Sequence, residues 1–358
     1  MEEGKAFGNA SDLVSLKIIE EEEKTILSSV NSFLPQSNET NFFFHSFFPF
    51  SFWFLKKKTT TTAERVSMRR SRADPSARER GQLAGEYHSS DFSWEDLKSE
   101  VDIPSFVDAP EGRERLECYL QNQDESWEKF HNKVNTTAKF FKERRYILQE
   151  FPQLLSEDMK QVVEFGCGNG STVIPLLKGN PATRVIAVDF SESAVSHTLE
   201  AVRQENLDLG RCEIFACDLS VSIEKEHRLW NLGCDAVLMM FMLSAVPPDL
   251  MQQSIRNAFG CLSPGGHVFF RDYGMYDLTQ LRFPKDQRLG QKLYHRGDGT
   301  LSYFFTLEEL RSKFEAEGFE TVETDYVCVE LYNRKKDFEM KRVFAHAVFR
   351  KPTTTAQT

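Results

Sequence analysis

Val162-Val163-Glu164-Phe165-Gly166-Cys167-Gly168-Asn169-Gly170 is the stretch that decides how this chain folds. Val162, Val163 and Phe165 have the apolar, β-branched or aromatic character of a buried strand. The three glycines at every second position allow a tight turn with no Cβ to keep a ligand away. Ser171 to Lys178 then read as a helix. A helix starting on such a turn aims its free N–H groups and the positive end of its dipole at whatever rests there. This strand–turn–helix context is what a nucleotide-type fingerprint requires.

Spacing narrows the ligand. The glycines read G-x-G-x-G, where dinucleotide sites carry G-x-G-x-x-G. A second strand, Arg184 to Asp189, ends in an acid. An acid roughly 20 residues beyond the turn is placed to accept the hydroxyls of a ribose. A third strand, from Cys212, runs into Asp218 and Leu219, and an acid there suits an adenine amino group. Glu164 in the first strand, the glycine turn, and acids closing strands two and three together resemble the S-adenosylmethionine pocket of Rossmann-like methyltransferases.

Working outward, strands are expected near 161–166, 184–189, 212–217, 234–240 and 265–271, and helices near 171–179, 192–206 and 249–262. Alternation of this kind builds a parallel sheet with right-handed crossovers. Thr306-Leu307-Glu308-Glu309 is a capping box that opens a helix to about 317. Two late strands near 320–332 and 340–350 are expected to form the antiparallel end of the sheet. The fold class is therefore α/β, Rossmann-like, with a mostly parallel sheet and an antiparallel last strand. Residues 1–80 read as a poorly ordered extension. They hold an acidic run at Glu20–Glu23 and an aromatic stretch at 41–55, which is too short, and interrupted by Pro49, for a membrane helix. Residues 81–155 read as an N-terminal extension that lids the cofactor or meets RNA, 156–350 as the methyltransferase domain, and 351–358 as a tail. Within the extension, Phe140, Phe141, Arg144 and Leu148 recur at helical spacing, so an amphipathic helix is expected before the first strand.

The chain has 358 residues and a net charge of −10, which excludes coating nucleic acid by overall charge but leaves room for a local basic groove. Its seven cysteines form no C-x-x-C pair, so no zinc site and no disulfide framework are expected. Free thiols and the lack of a secretory or organelle signal suit the cytoplasm. The insertion at 273–304 carries Arg282, Lys285, Arg288, Lys292 and Arg296 among aromatics. These, with Arg334-Lys335-Lys336 and Lys341-Arg342, are either a solvated face or a track for phosphates.

Further segments then become recognisable: Phe140-Phe141-Lys142-Glu143-Arg144, Phe241-Met242-Leu243-Ser244-Ala245-Val246, Arg271-Asp272-Tyr273-Gly274, Leu281-Arg282-Phe283, Arg296-Gly297-Asp298-Gly299-Thr300 and Tyr303-Phe304-Phe305. Together they resemble the transfer-RNA N3-methylcytidine methyltransferases, over roughly residues 75 to 350. The resemblance implies a cofactor site of Trp127, His131, Arg144, Gly166, Asp189, Asp218, Leu219 and Met240. His131 stands where other members have tyrosine, and Leu301 where they often have a basic residue. The resemblance also implies S-adenosylmethionine as cofactor and tRNA as partner, methylated on cytidine in the anticodon loop, with an aminoacyl-tRNA synthetase or another tRNA-binding helper protein as a further partner. Alternatives that stay open are a small-molecule or protein methyltransferase of the same fold and a non-catalytic RNA-binding subunit.

N3 of neutral cytosine already carries an in-plane lone pair, so no general base is needed before attack. Catalysis then rests on alignment and electrostatics. Asp272 is the expected acceptor for the cytosine amino group, or else forms a structural pair with Arg271. Arg271, Tyr273, Arg282 and Arg296 are the substrate-binding candidates. Tyr273, Tyr294, Tyr303, Phe304 and Phe305 are either stacking platforms or core. N3 lies on the Watson–Crick edge, so the target base must be unpaired.

Overall fold

The computed structural model describes residues 90–101, 114, 116–117, 123–134, 143–223, 227–333 and 337–353. The expectations for residues 1–80, for Phe140-Phe141-Lys142 and for Arg334-Lys335-Lys336 lie outside the described residues. Seven strands form one sheet: β1 (Gln161–Phe165), β2 (Arg184–Asp189), β3 (Cys212–Ala216), β4 (Cys234–Met240), β5 (Leu262–Tyr273), β8 (Glu320–Asn333) and β9 (Phe338–Arg350). Their order is β3-β2-β1-β4-β5-β9-β8. β1 to β5 pair in parallel, while β9 runs antiparallel to both β5 and β8.

The middle strands are near-continuous apolar runs because both faces are covered. On one face, α4 (Val173–Gly179) and α5 (Glu192–Gln204) bury Val173, Ile174, Leu176, Leu177 and Val202 against Val162, Val185 and Leu238. On the other, α6 (Pro248–Cys261) and α8 (Leu307–Glu315) bury Met251, Ile255, Leu310 and Phe314 against Val163, Val237 and Phe270. Each such side chain contributes roughly 1.5–3 kcal/mol on leaving water. Thr306 caps α8 as its sequence demands, accepting from Glu309 N–H at 3.3 Å. Strand order reverses between β1 and β4. In sheets of this kind the crevice outside the carboxyl ends, at that reversal, is where ligands bind.

Two regions depart from the sequence-based expectation. Among the described residues, the helix expected before β1 is a single turn, α3 (Ile147–Glu150), followed by a 3-10 turn at Pro152–Leu155. Arg144 precedes it in irregular backbone, because its N–H donates to Ser171 O at 2.7 Å and its guanidinium to Thr172 Oγ1 and Met240 O. Those tertiary bonds outweigh helical periodicity. The insertion at 273–304 holds α7 (Leu278–Arg282) and a ribbon of β6 (Leu293–His295) and β7 (Leu301–Tyr303). Tyr294, Tyr303, Phe304 and Phe305 are its buried core, so of the five candidate platforms only Tyr273 is left to face a ligand. Ahead of all these, α1 (Trp94–Glu100) follows a segment in which Asp91 N–H pairs with Cys328 O on the outer strand, and α2 (Gln123–Lys129) leads into a π turn at Phe130–Val134. Among the described residues no helix is long and apolar enough to cross a membrane.

Candidate cofactor and substrate site

A cavity opens at the carboxyl ends of β1, β2 and β4, at the reversal of strand order. Trp127, His131, Arg144, Gly166, Asp189, Asp218, Leu219 and Met240 all line it. Segments far apart in sequence meet there: the π turn, the residues before α3, the glycine turn and the ends of four strands.

The glycine turn is shaped by its backbone. Gly166 has φ +77°, and a Cβ there would lie 2.7 Å from Met242 Cγ. Gly168 has φ +56° with nothing within 4 Å of where its Cβ would be, which leaves the turn open to the cavity. Asp189 braces the turn: Oδ2 accepts Gly168 N–H at 2.8 Å and Oδ1 accepts Ser191 N–H at 3.0 Å. Burial pushes the Asp189 carboxyl above its ordinary value, against the pull of His131 and these N–H donors. Burial likewise holds His131 below its ordinary value, so near neutrality it faces Asp189 uncharged. Asp218 uses Oδ1 to accept from the Ser220 N–H and hydroxyl, at 2.8 and 2.6 Å. Glu164, buried under the turn, has its pKa pushed up to about 8 by burial, opposed by the Arg144 charge.

Trp127 and His131 arrive on a segment fastened from outside. Glu128 accepts from the Ser193 hydroxyl at 2.7 Å and from its N–H at 3.4 Å, at the start of α5. A carboxylate is favoured at a helix N-terminus. Although burial raises the Glu128 pKa, the serine hydrogen bonds bring it below the ordinary value. Neither this anchor nor Ser193 is signalled by any motif.

The far end of the cavity is built by Phe241, Met242, Ser244, Tyr273, Arg296, Thr300 and Ser302. Phe241 takes a left-handed φ of +57°, its ring 5.2 Å from that of Tyr273 and 5.1 Å from the Arg144 guanidinium. A non-glycine residue in this region is strained, a feature that clusters at ligand sites. Arg296 is held by Asp298 Oδ2 at 3.3 Å and Ser302 Oγ at 3.5 Å, while Asp298 Oδ1 accepts Thr300 N–H at 3.0 Å. The segment 241–246 carried no assigned role in the sequence; a left-handed Phe241 leaves no composition signal.

Three candidates lie elsewhere. Arg271 is buried in an ion pair with Glu150 at 2.6 Å, and Glu150 also meets His346 at 3.0 Å. Arg271 and Asp272 point to opposite sides of a pleated strand, so they do not pair. Arg282 is exposed on α7, 5.8 Å over the Phe338 ring, in a surface groove with Arg342. Asp272 is fully buried, with Oδ2 on Ser244 N–H at 2.9 Å and Oδ1 on Tyr273 N–H at 2.8 Å, so it does not reach the cavity. Of the basic residues read as a phosphate track, Lys292, Lys341 and Arg342 hold ion pairs with Glu309, Glu100 and Asp277.

The donor set fits S-adenosylmethionine. The open glycine turn leaves room for its backbone approach, Asp189 and Asp218 supply acceptors for hydroxyls and an amine, Arg144 supplies a cation for a carboxylate, and Trp127, Leu219 and Met240 supply apolar walls.

A family model described as a methyltransferase domain matches residues 140–324. The human tRNA N(3)-cytidine methyltransferase METTL6 is 40% identical over 238 residues, covering 65% of this chain and 81% of the human protein. The Schizosaccharomyces pombe tRNA N(3)-methylcytidine methyltransferase trm140 is 38% identical over 243 residues, covering 66% of this chain and 76% of its own. A solved SAM-dependent methyltransferase from Anabaena variabilis is 18% identical, with a TM-score of 0.48, covering 64% of this chain and 95% of that one.

Proposed function

This chain belongs to the tRNA N3-cytidine methyltransferase family, and from that membership we propose that it methylates N3 of cytidine in the anticodon loop of a tRNA. The observation that carries this reading in the structure is the ring of Arg144, Asp189, Asp218 and the glycine turn around one cavity, with an aromatic and cationic far end.

Bound S-adenosylmethionine supplies an electrophilic methyl group. Asp189 takes the ribose hydroxyls, Asp218 with Leu219 the adenine edge, and Arg144 the carboxylate. Trp127, His131 and Met240 close the walls and keep water out. Tyr273 offers a face for the flipped cytosine, and Arg296 offers N–H donors to its carbonyl oxygen or to the adjoining phosphate. No group has to remove a proton from N3 before attack, so the residues act by holding the lone pair in line with the methyl. The segment 123–134 acts as the lid that completes the cofactor site. An aminoacyl-tRNA synthetase or another tRNA-binding helper is the proposed protein partner, because the chain's net charge of −10 gives little general attraction to RNA. The free thiols described at Cys167, Cys212, Cys217, Cys234, Cys261 and Cys328 suit a proposed cytoplasmic setting.

Nucleoside mass spectrometry on unmodified tRNA, incubated with the purified chain and S-adenosylmethionine, tests the reading. N3-methylcytidine that disappears with Asp189→Ala is the expected result. Methylation of another atom, or none in the presence of cell extract, would refute it.

A further inference from the structure

Arg144 enters the cavity from irregular backbone, so neither a helix nor a strand aims its side chain. Its guanidinium is placed by neighbours instead. Nη1 donates to Thr172 Oγ1 at 3.2 Å and to the Met240 carbonyl at 3.3 Å, and the guanidinium carbon lies 5.1 Å from the centre of the Phe241 ring. Two of these contacts come from the end of β4. The peptide unit that joins Met240 to Phe241 is planar, so its N–H and C=O point opposite ways. The N–H donates to Arg271 O on β5 at 2.8 Å, which turns the C=O toward Arg144.

The chain then bends at once, with Phe241 at φ +57°. That conformation is strained for a bulky residue and free for glycine. A phenylalanine in such a place is explained by what its ring touches. Besides Arg144, the half-buried ring meets Tyr273 at 5.2 Å and, edge to face, Phe344 at 5.7 Å. Phe344 in turn lies 4.3 Å from the Arg271 guanidinium. Packing on these sides fixes the ring, and a fixed aromatic ring attracts a guanidinium beside it.

We infer that Phe241 is a positioning residue for cofactor recognition: its left-handed turn and its ring hold the Arg144 guanidinium where it takes the carboxylate at the amino-acid end of the cofactor. This rests on the function proposed above, in which Arg144 has that part. A long side chain that is mobile beforehand loses rotamer freedom when its ligand arrives. Held in advance, Arg144 meets the carboxylate with less of that loss. The socket therefore favours the intact cofactor over a fragment that keeps adenosine and sulfur but lacks the amino-acid end. Asp189 and Asp218, given to the adenosine end by the same reading, serve both ligands alike.

Isothermal titration calorimetry on the full chain tests this with S-adenosylhomocysteine, which carries the carboxylate, and 5′-methylthioadenosine, which does not. Phe241→Leu should raise the first Kd roughly 3- to 30-fold and leave the second within about twofold of wild type. Phe241→Tyr keeps the ring and should bind both ligands as wild type does. In an Arg144→Ala background, Phe241→Leu should add less than about twofold, since the two residues act as one device. An equal loss for both ligands, no loss for S-adenosylhomocysteine, a tyrosine variant as weak as the leucine one, or a double variant whose loss is the product of the singles would overturn the inference. If Phe241→Leu does not fold, Phe241→Gly decides, because glycine takes the turn without strain. A loss confined to S-adenosylhomocysteine there supports the inference, and any other result overturns it. Wild-type protein that binds neither ligand refutes the proposed function as well. Wild-type protein that binds both equally refutes the part given to Arg144 and this inference with it. A wild-type preference for S-adenosylhomocysteine that Phe241→Leu leaves intact refutes this inference alone.

Discussion

Asp189 is predicted to set cofactor affinity, and the size of its effect follows from its hydrogen bonds. A carboxylate has about four acceptor sites. Two are taken by Gly168 N–H at 2.8 Å and Ser191 N–H at 3.0 Å, which leaves about two for ribose hydroxyls. A hydrogen bond to a charged partner is worth roughly 1.5–3 kcal/mol. Asp189→Ala removes both cofactor bonds, a loss of about 3–6 kcal/mol, or roughly a 10²- to 10⁴-fold rise in Kd. It also unfastens the glycine turn, which adds to the loss. Asp189→Asn keeps one acceptor oxygen and turns an amine toward a donor, so its Kd should rise about 10- to 100-fold. Isothermal titration calorimetry with S-adenosylmethionine and its demethylated product measures the order wild type, Asn, Ala. A Kd for Asp189→Ala within about threefold of wild type, on protein with an unchanged melt, would refute the reasoning.

Gly166→Ala should cost about 1–3 kcal/mol of stability, because its φ of +77° is left-handed and the new Cβ would meet Met242 Cγ at 2.7 Å; denaturant unfolding checks it. Glu128→Ala should release the 123–134 segment from Ser193, weakening cofactor binding by about 0.5–2 kcal/mol while the domain's melt stays put; limited proteolysis should then cut within that segment faster, and unchanged cutting would exclude the anchor. Glu150→Gln should destabilise by about 3–5 kcal/mol, since it breaks the buried pair with Arg271 at 2.6 Å. The Glu150 pKa lies below its ordinary value: burial raises it, but the Arg271 charge and the His346 bond bring it down further. Its stabilisation is thus present above the unfolded value of 4.5 and lost as the pH falls through the folded value, so melts of wild type and variant should converge below about pH 4.5.

Much of this molecule is legible in its sequence. The glycine spacing, the β-branched runs and the acids at strand ends each act within a few residues, so composition alone reports them. Thr306 and Glu309 cap a helix because both partners lie in the same turn. Arg144 shows the limit: its helical spacing is real, but bonds to Ser171, Thr172 and Met240 draw it out of any helix. The aromatics of the insertion show another. Tyr273 and Phe304 are alike as letters, and only the ribbon of β6 and β7 decides that one faces the cavity and the other the core.

By itself the sequence determined the α/β order of elements, the glycine turn that lines the cavity and the family to which the chain belongs, because periodicity, turn chemistry and motif spacing are local properties. The tertiary structure alone decided that Arg271 is buried with Glu150, that Arg282 faces a separate groove, and that Asp272 is buried on the backbone N–H groups of Ser244 and Tyr273. Those facts depend on which side of a pleated strand meets which distant segment, and that choice is made by packing and by the pairing of buried charge, across separations that no local pattern records.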